Sequence, residues 1–263
     1  MAKKFKQYGY VPPGYHGKFG INEGSLGTGE AVGVIVLNSL IPCPPGHITN
    51  PWTFDFPVRY LQVDEAGLDE VVNKGDQSIV EAIIRGAKQL ETDGCRAIMA
   101  DCGYFGNYQK QIAASVDIPV YMSSVIQATW IAIALKPDQK IGIICANKDG
   151  ITDQMFEACG VGEEVRSRCI VRGAGGKPEF ARLLADVGEL DFAKIKNEVV
   201  DIAVEMTEEN PDIGAILLEC TDIPPYSYAI QAATNLPVYD ATTMLKYINS
   251  VVTHMPYGGF IGA

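Results

Sequence analysis

The sequence predicts an α/β protein made of two pseudo-symmetric, doubly wound lobes with parallel sheets, and an active site in the inter-lobe cleft. Three observations carry this. Continuous apolar runs alternate with amphipathic stretches, the pattern of buried parallel strands joined by helices. The alternation starts again near residue 139: "KIGIICAN" (140–147) matches "AVGVIVLN" (31–38), with Gly33 to Asn38 and Gly142 to Asn147 each five apart. A cysteine-bearing corner also occurs twice. Cys102 and Cys220 each end an apolar run, and each is followed seventeen residues later by a proline (Pro119, Pro237) and then Val-Tyr.

Residues 1–30 are rich in Gly, Tyr and Pro without a period. They read as an irregular arm, laid on the body or on a neighbouring subunit, and hint at a homodimer. "AVGVIVLN" is a β-branched run fit for a strand buried on both faces. "SLIPCPPGHITNPWTFDFPV" (39–58) holds five prolines and must be a long loop. "VRYLQVD" (58–64) suits a second strand. Ile79, Ile83, Ile84, Ala87 and Leu90 fall at helical spacing, with Gly94 placed to end that helix. "RAIMADC" (96–102) reads as a strand, "YQKQIAASV" (108–116) as a helix and "IPVYMSS" (118–124) as a strand. This first lobe spans 31–123, completed by a closing helix at 242–255.

The second lobe spans 124–241. "VIQATWIAIAL" (125–135) is too short for a membrane span and reads as a buried helix. After "KIGIICAN" come a helix near 150–159 and a strand at "EEVRSRCIV". Phe192, Ile195, Val199, Ile202 and Met206 form one stripe of a helix over 192–210. "DIGAILLEC" repeats the strand before the corner, and "SYAIQAATNLPVYD" the helix and strand after it.

Composition bounds the function. A formal net charge of −11 repels nucleic acid and anionic membrane surfaces, so neither is an expected partner. A small anion is not excluded, because backbone N–H groups can make a pocket locally positive. The basic N-terminus has no apolar core behind it and does not read as a secretory signal. Seven cysteines, an odd number, then suggest reduced thiols and a cytoplasmic protein. With no C-x-x-C pair and only three histidines, no metal site is expected. "GAGG" (173–176) lacks the lysine and spacing of a phosphate loop, and no cofactor is expected.

In open α/β sheets ligands sit beyond the carboxyl ends of the strands, where Cys102 and Cys220 lie. Facing lobes would set the two thiols across a cleft, each near a helix start that favours thiolate. One sulfur could then remove a proton from a stereocentre and the other return one to the opposite face. Cys95, Cys145, Cys159 and Cys169, inside strands or helices, read as packing. Cys43, His47 and Thr49 sit on the Pro-rich loop that overhangs the cleft, and Thr49 is taken as a substrate contact together with Asn38. Asp101 and Glu219, each beside a cysteine, would raise its pKa unless they point away or partner a substrate ammonium.

Over residues 31–255 this pattern resembles the aspartate/glutamate (and hydantoin) racemase superfamily, of the cofactor-independent two-cysteine type. "ECTDI" (219–223) is similar to that family's Gly-Cys-Thr followed by an acidic residue or histidine. "LPVYDATTML" (236–245) is similar to its closing Asp-Thr-Thr segment. The resemblance implies that Cys102 and Cys220 are opposed acid and base, that Thr221 helps hold a substrate carboxylate, and that Asp222 orients or relays protons to the thiol. The first corner departs: Cys102-Gly103-Tyr104 stands where the family has Cys-Asn-Thr, so the backbone N–H groups of Gly103 and Tyr104 are expected to grip the carboxylate. No arginine accompanies either motif; Arg59 or Lys177 would have to reach in from loops.

Within the superfamily a malonate decarboxylase needs one cysteine, whereas a maleate isomerase and a hydantoin racemase use two. The sequence therefore favours an isomerase, a racemase or epimerase of an amino acid or related small carboxylate. The alternatives are a cis-trans isomerase or decarboxylase of a dicarboxylate on the same scaffold, or a non-catalytic two-lobed binding protein.

Overall fold

The computed structural model describes residues 8–262. The arm has no regular element over 8–30; residues 1–7 of it lie outside the described residues. It lies on the first lobe at the end of the sheet away from the cysteines, where Leu26 N–H donates to Asp93 Oδ1 (2.7 Å) and Asn22 Nδ2 to Thr92 O (3.1 Å).

The first lobe holds β1 (Val32–Asn38), β2 (Val58–Gly67), helix α1 (Val80–Thr92), β3 (Ala97–Ala100), α2 (Gln109–Ala113) and β4 (Val120–Tyr121). The second holds α3 (Gln127–Ala134), β5 (Lys140–Cys145), α4 (Asp153–Ala158), α5 (Glu163–Arg166), β6 (Cys169–Gly173), α6 (Pro178–Leu184), α7 (Phe192–Glu209), β7 (Ile213–Leu218), α8 (Ser227–Thr234) and β8 (Val238–Tyr239). All pairings are parallel, and the strand orders are β2-β1-β3-β4 and β6-β5-β7-β8. The two sheets thus have one topology, the expected duplicated α/β fold. Helix α9 (Ala241–Val252) closes the chain by packing Met244, Leu245 and Ile248 against Val32, Val34 and Met99 of the first sheet.

The matched glycines have a packing reason. A Cβ on Gly33 would lie 2.9 Å from Leu90 Cδ1 of α1, and one on Gly142 would lie 2.4 Å from Met206 Cε of α7. In each lobe the central strand omits a side chain where the crossover helix presses closest.

Two elements differ from expectation. "EEVRSRCIV" is divided into α5 and β6, since Glu163 and Glu164 sit at the start of a short helix that Arg166 ends. The stretch at 125–135 is only half-buried: α3 packs Ala128, Ile131 and Ala132 inward but exposes Trp130 and Ile133. Trp130 meets Tyr247 of α9, ring centroids 5.4 Å apart. Among the described residues no helix is long and apolar enough to cross a membrane.

The lobes are joined at the corners themselves. Tyr104 O–H donates to Asn147 O (2.7 Å), and the Thr221 hydroxyl donates to Asp101 O. Gly103 lies so close to the other lobe that a Cβ there would be 2.4 Å from the backbone oxygen of Glu219 and 2.2 Å from Glu219 Oε1. Backbone cannot step aside as a flexible side-chain end can. Gly103→Ala should therefore destabilise the protein by about 1–3 kcal/mol, the usual cost of overpacking. Urea unfolding checks this; an unchanged midpoint would show that the corners have slack.

Candidate active site

Cys102 and Cys220 line one cavity beyond the carboxyl ends of β3 and β7, together with Leu37, Cys43, His47, Asp101, Tyr104, Thr221 and Asp222. Leu68, Val72, Leu183 and Leu184 complete an aliphatic wall. The void is narrow, about 30 Å³. Leu40 N–H, on the Pro-rich loop, donates to Asp186 Oδ1 (2.7 Å) just after α6 and clasps the two lobes beside it. A substrate larger than water is admitted only when these walls part.

The two corners share a backbone design. In each corner the backbone N–H of the residue two positions on, Tyr104 for Cys102 and Asp222 for Cys220, favours the thiolate. Short 3-10 turns follow, Gly103–Tyr108 and Pro224–Tyr226. The expected net favouring of thiolate is overridden. Burial, then Glu219 and Asp101, push the Cys102 thiol well above its ordinary value; burial, then Asp222 and Glu219, do the same for Cys220. Glu219 itself is fully buried, with no hydrogen-bond partner for either carboxyl oxygen among the described residues. Burial, then the Asp222 charge, raises it well above its ordinary value. Both cysteines are thiols in the resting protein.

Side chains break the symmetry. At the second corner Asp222 Oδ2 accepts from Cys220 Sγ (3.4 Å), and Asp222 Oδ1 lies 3.3 Å from His47 Nε2. At the first corner the matching position is Tyr104, whose hydroxyl is committed to Asn147, its O–H on the carbonyl and its oxygen accepting the N–H (2.6 Å). A thiol–carboxylate–imidazole chain thus serves Cys220 alone.

His47 comes from the Pro-rich loop of the first lobe, which is anchored tightly. Gly46, at φ +102, brings its backbone against Pro225: a Cβ there would be 2.7 Å from Pro225 Cα. Thr53 Oγ1 donates to His47 O (2.8 Å), and Thr242 Oγ1 to Gly46 O (2.8 Å). Thr49 serves both ring states: its N–H reaches Nδ1 (3.1 Å) when the ring is neutral, and its Oγ1 (2.8 Å) accepts from Nδ1 when the ring is charged. Nε2 faces Asp222 in either case. Burial pulls the ring toward neutrality, but Asp222 and Cys43 outweigh it and raise His47 to about 10. It is an imidazolium at neutral pH.

Other anticipated residues fall elsewhere. Asn38 is exposed and donates to Asp64 O (3.1 Å); it does not line the cavity. Gly103 lies behind the cavity against Glu219. Thr49 touches His47 rather than the void, and Thr221 reaches the void with its hydroxyl committed to Asp101. Arg59 pairs with Glu30 (3.6 Å) and Asp93 (3.5 Å), and Lys177 with Glu205 (3.7 Å), so neither reaches in. His47 and Cys43 are the members that spacing could not rank: only the loop's fold brings them to Asp222. No group of three His, Cys, Asp or Glu is placed to hold a metal ion among the described residues.

The Asp/Glu/hydantoin racemase family model matches residues 66–245. The chain is 34% identical over 222 residues to dimethylsulfoniopropionate lyase 7 of Emiliania huxleyi, covering 81% of this chain and 64% of that protein. It is 34% identical over 218 residues to the dimethylsulfoniopropionate lyase of Durusdinium sp. clade D, covering 80% of this chain and 71% of that protein. The chain thus spans just under two thirds of the first relative's length. Allantoin racemase from Pseudomonas fluorescens shares the fold, with a TM-score of 0.59 at 14% identity over 88% of this chain and 99% of that one. The relatives overturn the isomerase expectation, for both carry the name of a lyase. A lyase on the racemase scaffold, the kind of alternative held beside it, fits them better.

The His47–Asp222 pair has a stability signature. Because the folded pKa of His47 lies above the unfolded 6.5, the pair contributes fully below about pH 6.5 and its contribution is lost as pH rises through about 10. His47→Gln should flatten that decline and cost about 3–5 kcal/mol at pH 6, by leaving Asp222 beside an uncharged partner. Thermal melts from pH 6 to 10 check it, and parallel curves for the two proteins would refute the pairing.

Proposed function

The chain belongs to the Asp/Glu/hydantoin racemase family, and from that premise we propose that it is a dimethylsulfoniopropionate lyase working by one-base elimination. Racemisation and elimination both begin by removing the proton α to a carboxylate. The second step separates them. Inversion needs a second acid to return a proton to the other face, so both corners must be able to move protons. Elimination needs one base and a path by which its proton leaves.

The observation that supports elimination is the one-sided chain Cys220–Asp222–His47. In the proposed reaction Cys220 gives its proton to Asp222, while the His47 imidazolium offsets charge around that carboxylate. The thiolate takes the proton from C2 of the substrate. The C2–H electrons form the C2–C3 double bond, the C3–S bond breaks, and its electrons leave with neutral dimethyl sulfide. The products are acrylate, dimethyl sulfide and one proton, which leaves from Asp222 while the His47 imidazolium keeps both of its own. Charge balances, since a net-neutral zwitterion yields one anion and one proton. Cys102 forms the opposite wall and has no such chain.

Headspace chromatography of the purified protein with dimethylsulfoniopropionate should detect dimethyl sulfide in step with acrylate. Cys220→Ser should lower kcat by about 10²–10⁴, the usual worth of a positioned base, and Asp222→Asn by about 10². Cys102→Ser should cost less than either. Absence of dimethyl sulfide from the unaltered protein would refute the lyase, and equal losses at the two cysteines would refute the one-base mechanism.

A further inference from the structure

The elimination employs Cys220, Asp222 and His47 and leaves Asp101 without a task. Asp101 directly precedes Cys102, is only 7% exposed and lines the same cavity. Three bonds fix it: its N–H donates to Ile35 O (2.9 Å), its carbonyl accepts the Thr221 hydroxyl, and its Oδ1 accepts Leu37 N–H (3.0 Å). Oδ2 has no hydrogen-bond partner among the described residues. Unlike the two Glu219 oxygens, Oδ2 is not sealed from solvent, so it is open to a charged or polar ligand in the cavity.

No described residue meets it with a hydrogen bond. Among the described residues no lysine or arginine lines the cavity, and His47, the one cation they place there, is engaged by Asp222. With both aspartates ionised the cavity holds two carboxylates against one imidazolium. A plain monocarboxylate would enter against that excess negative charge, whereas a ligand with a cationic end would neutralise it. The walls narrow the class of cation. Leu37, Ile41, Leu68, Val72, Leu183 and Leu184 are aliphatic. A primary ammonium needs several acceptors for its N–H groups. A methylated onium has none to satisfy and is held by charge and apolar contact alone.

We propose that Asp101 is the counter-ion for the onium end of a zwitterionic propionate, and so the residue that sets the specificity of this site. The assignment rests on the lyase reading for the position of the cation on C3. Burial supports it: desolvation raises the Asp101 carboxyl to about 7, with His47 and Leu37 N–H opposing and Asp222 adding to the rise. A cation at Oδ2 favours the ionised form and releases the proton.

The test uses two ligands of one shape: trimethylammoniopropionate, and the carboxylate in which a tert-butyl group replaces the trimethylammonium. Calorimetry on the full chain at pH 7 should find the onium bound at least tenfold tighter. Asp101→Asn, which can still accept from Leu37 N–H, should erase that preference by weakening the onium and sparing the tert-butyl ligand. Equal binding of the two by the unaltered protein would overturn the assignment, even if the variant failed to fold. An equal loss of both ligands in the variant would overturn it too, by assigning Asp101 a structural role. The two readings fail separately. A protein that prefers the onium through Asp101 but releases no dimethyl sulfide loses only the lyase, and one that releases it without that preference loses only the counter-ion.

Discussion

Asp222 has to satisfy a thiol from its own lobe and an imidazolium from the other, and that demand governs the arrangement of the cleft. Its carboxylate lies 3.4 Å from Cys220 Sγ and 3.3 Å from His47 Nε2, with the imidazole almost wholly removed from water. A buried ion pair is costly to assemble and costlier to leave half-made, so both partners must be delivered with little freedom. That explains the rigidity of the loop carrying His47, where Thr53, Thr242 and the close approach of Gly46 to Pro225 fix the backbone. It also ties access to chemistry. The loop that positions His47 carries Leu40, clasped to Asp186, so an opening that admits substrate pulls on the element that holds the imidazolium.

The duplication supplies two equivalent backbones and leaves their chemistry to a few side chains. Gly33 and Gly142 make the same room for a crossover helix, and at Cys102 and Cys220 the N–H two residues on acts on the thiol in the same direction. The corners part where the lobes meet. Close approach to Glu219 leaves no room for a side chain at position 103, whereas the matching position 221 carries a threonine that reaches back to Asp101. Tyr104 spends its hydroxyl on Asn147, so the first corner becomes a joint between lobes while the second keeps a free path for a proton.

What was legible in the sequence was what local spacing encodes. Strands buried on both faces show as unbroken apolar runs, α1 and α7 show as helical stripes, and the cysteine corners show because an apolar run must end where a turn begins. The closing helix was legible by the same means. Features that depend on long-range packing were not. His47 stands among prolines with no periodic neighbours, and its meaning comes from Asp222, far along the chain. The acidic residues beside the cysteines looked alike in sequence, yet Asp101 faces the cavity while Glu219 is turned into the joint, because only one has a Leu37 N–H to hold it. The α5–β6 break escaped notice because one short turn of helix has no period to detect. The thiols were expected to be acidified by helix starts, but a 3-10 turn offers a weak field, and burial first and the neighbouring carboxyls after it outweigh it.

The reaction class was the least legible feature, and the reason lies in chemistry shared by the whole scaffold. Taking a proton from the carbon beside a carboxylate is the same first step whether a centre is inverted or a bond is broken. A sequence motif that records the base records that step and nothing after it. The outcome is decided by whether C3 carries a group able to leave, and by whether the cavity holds that group in place. A sulfonium leaves as a neutral sulfide, so its positive charge vanishes as the bond breaks. Any carboxylate that has been its counter-ion then faces an anionic product across a narrow aliphatic space. A carboxyl at Asp101, poised near neutrality by burial, can respond to that change by regaining a proton. A residue that attracted a cationic substrate would thereby shed its own charge once the cation had gone, a response closed to a carboxylate in open water.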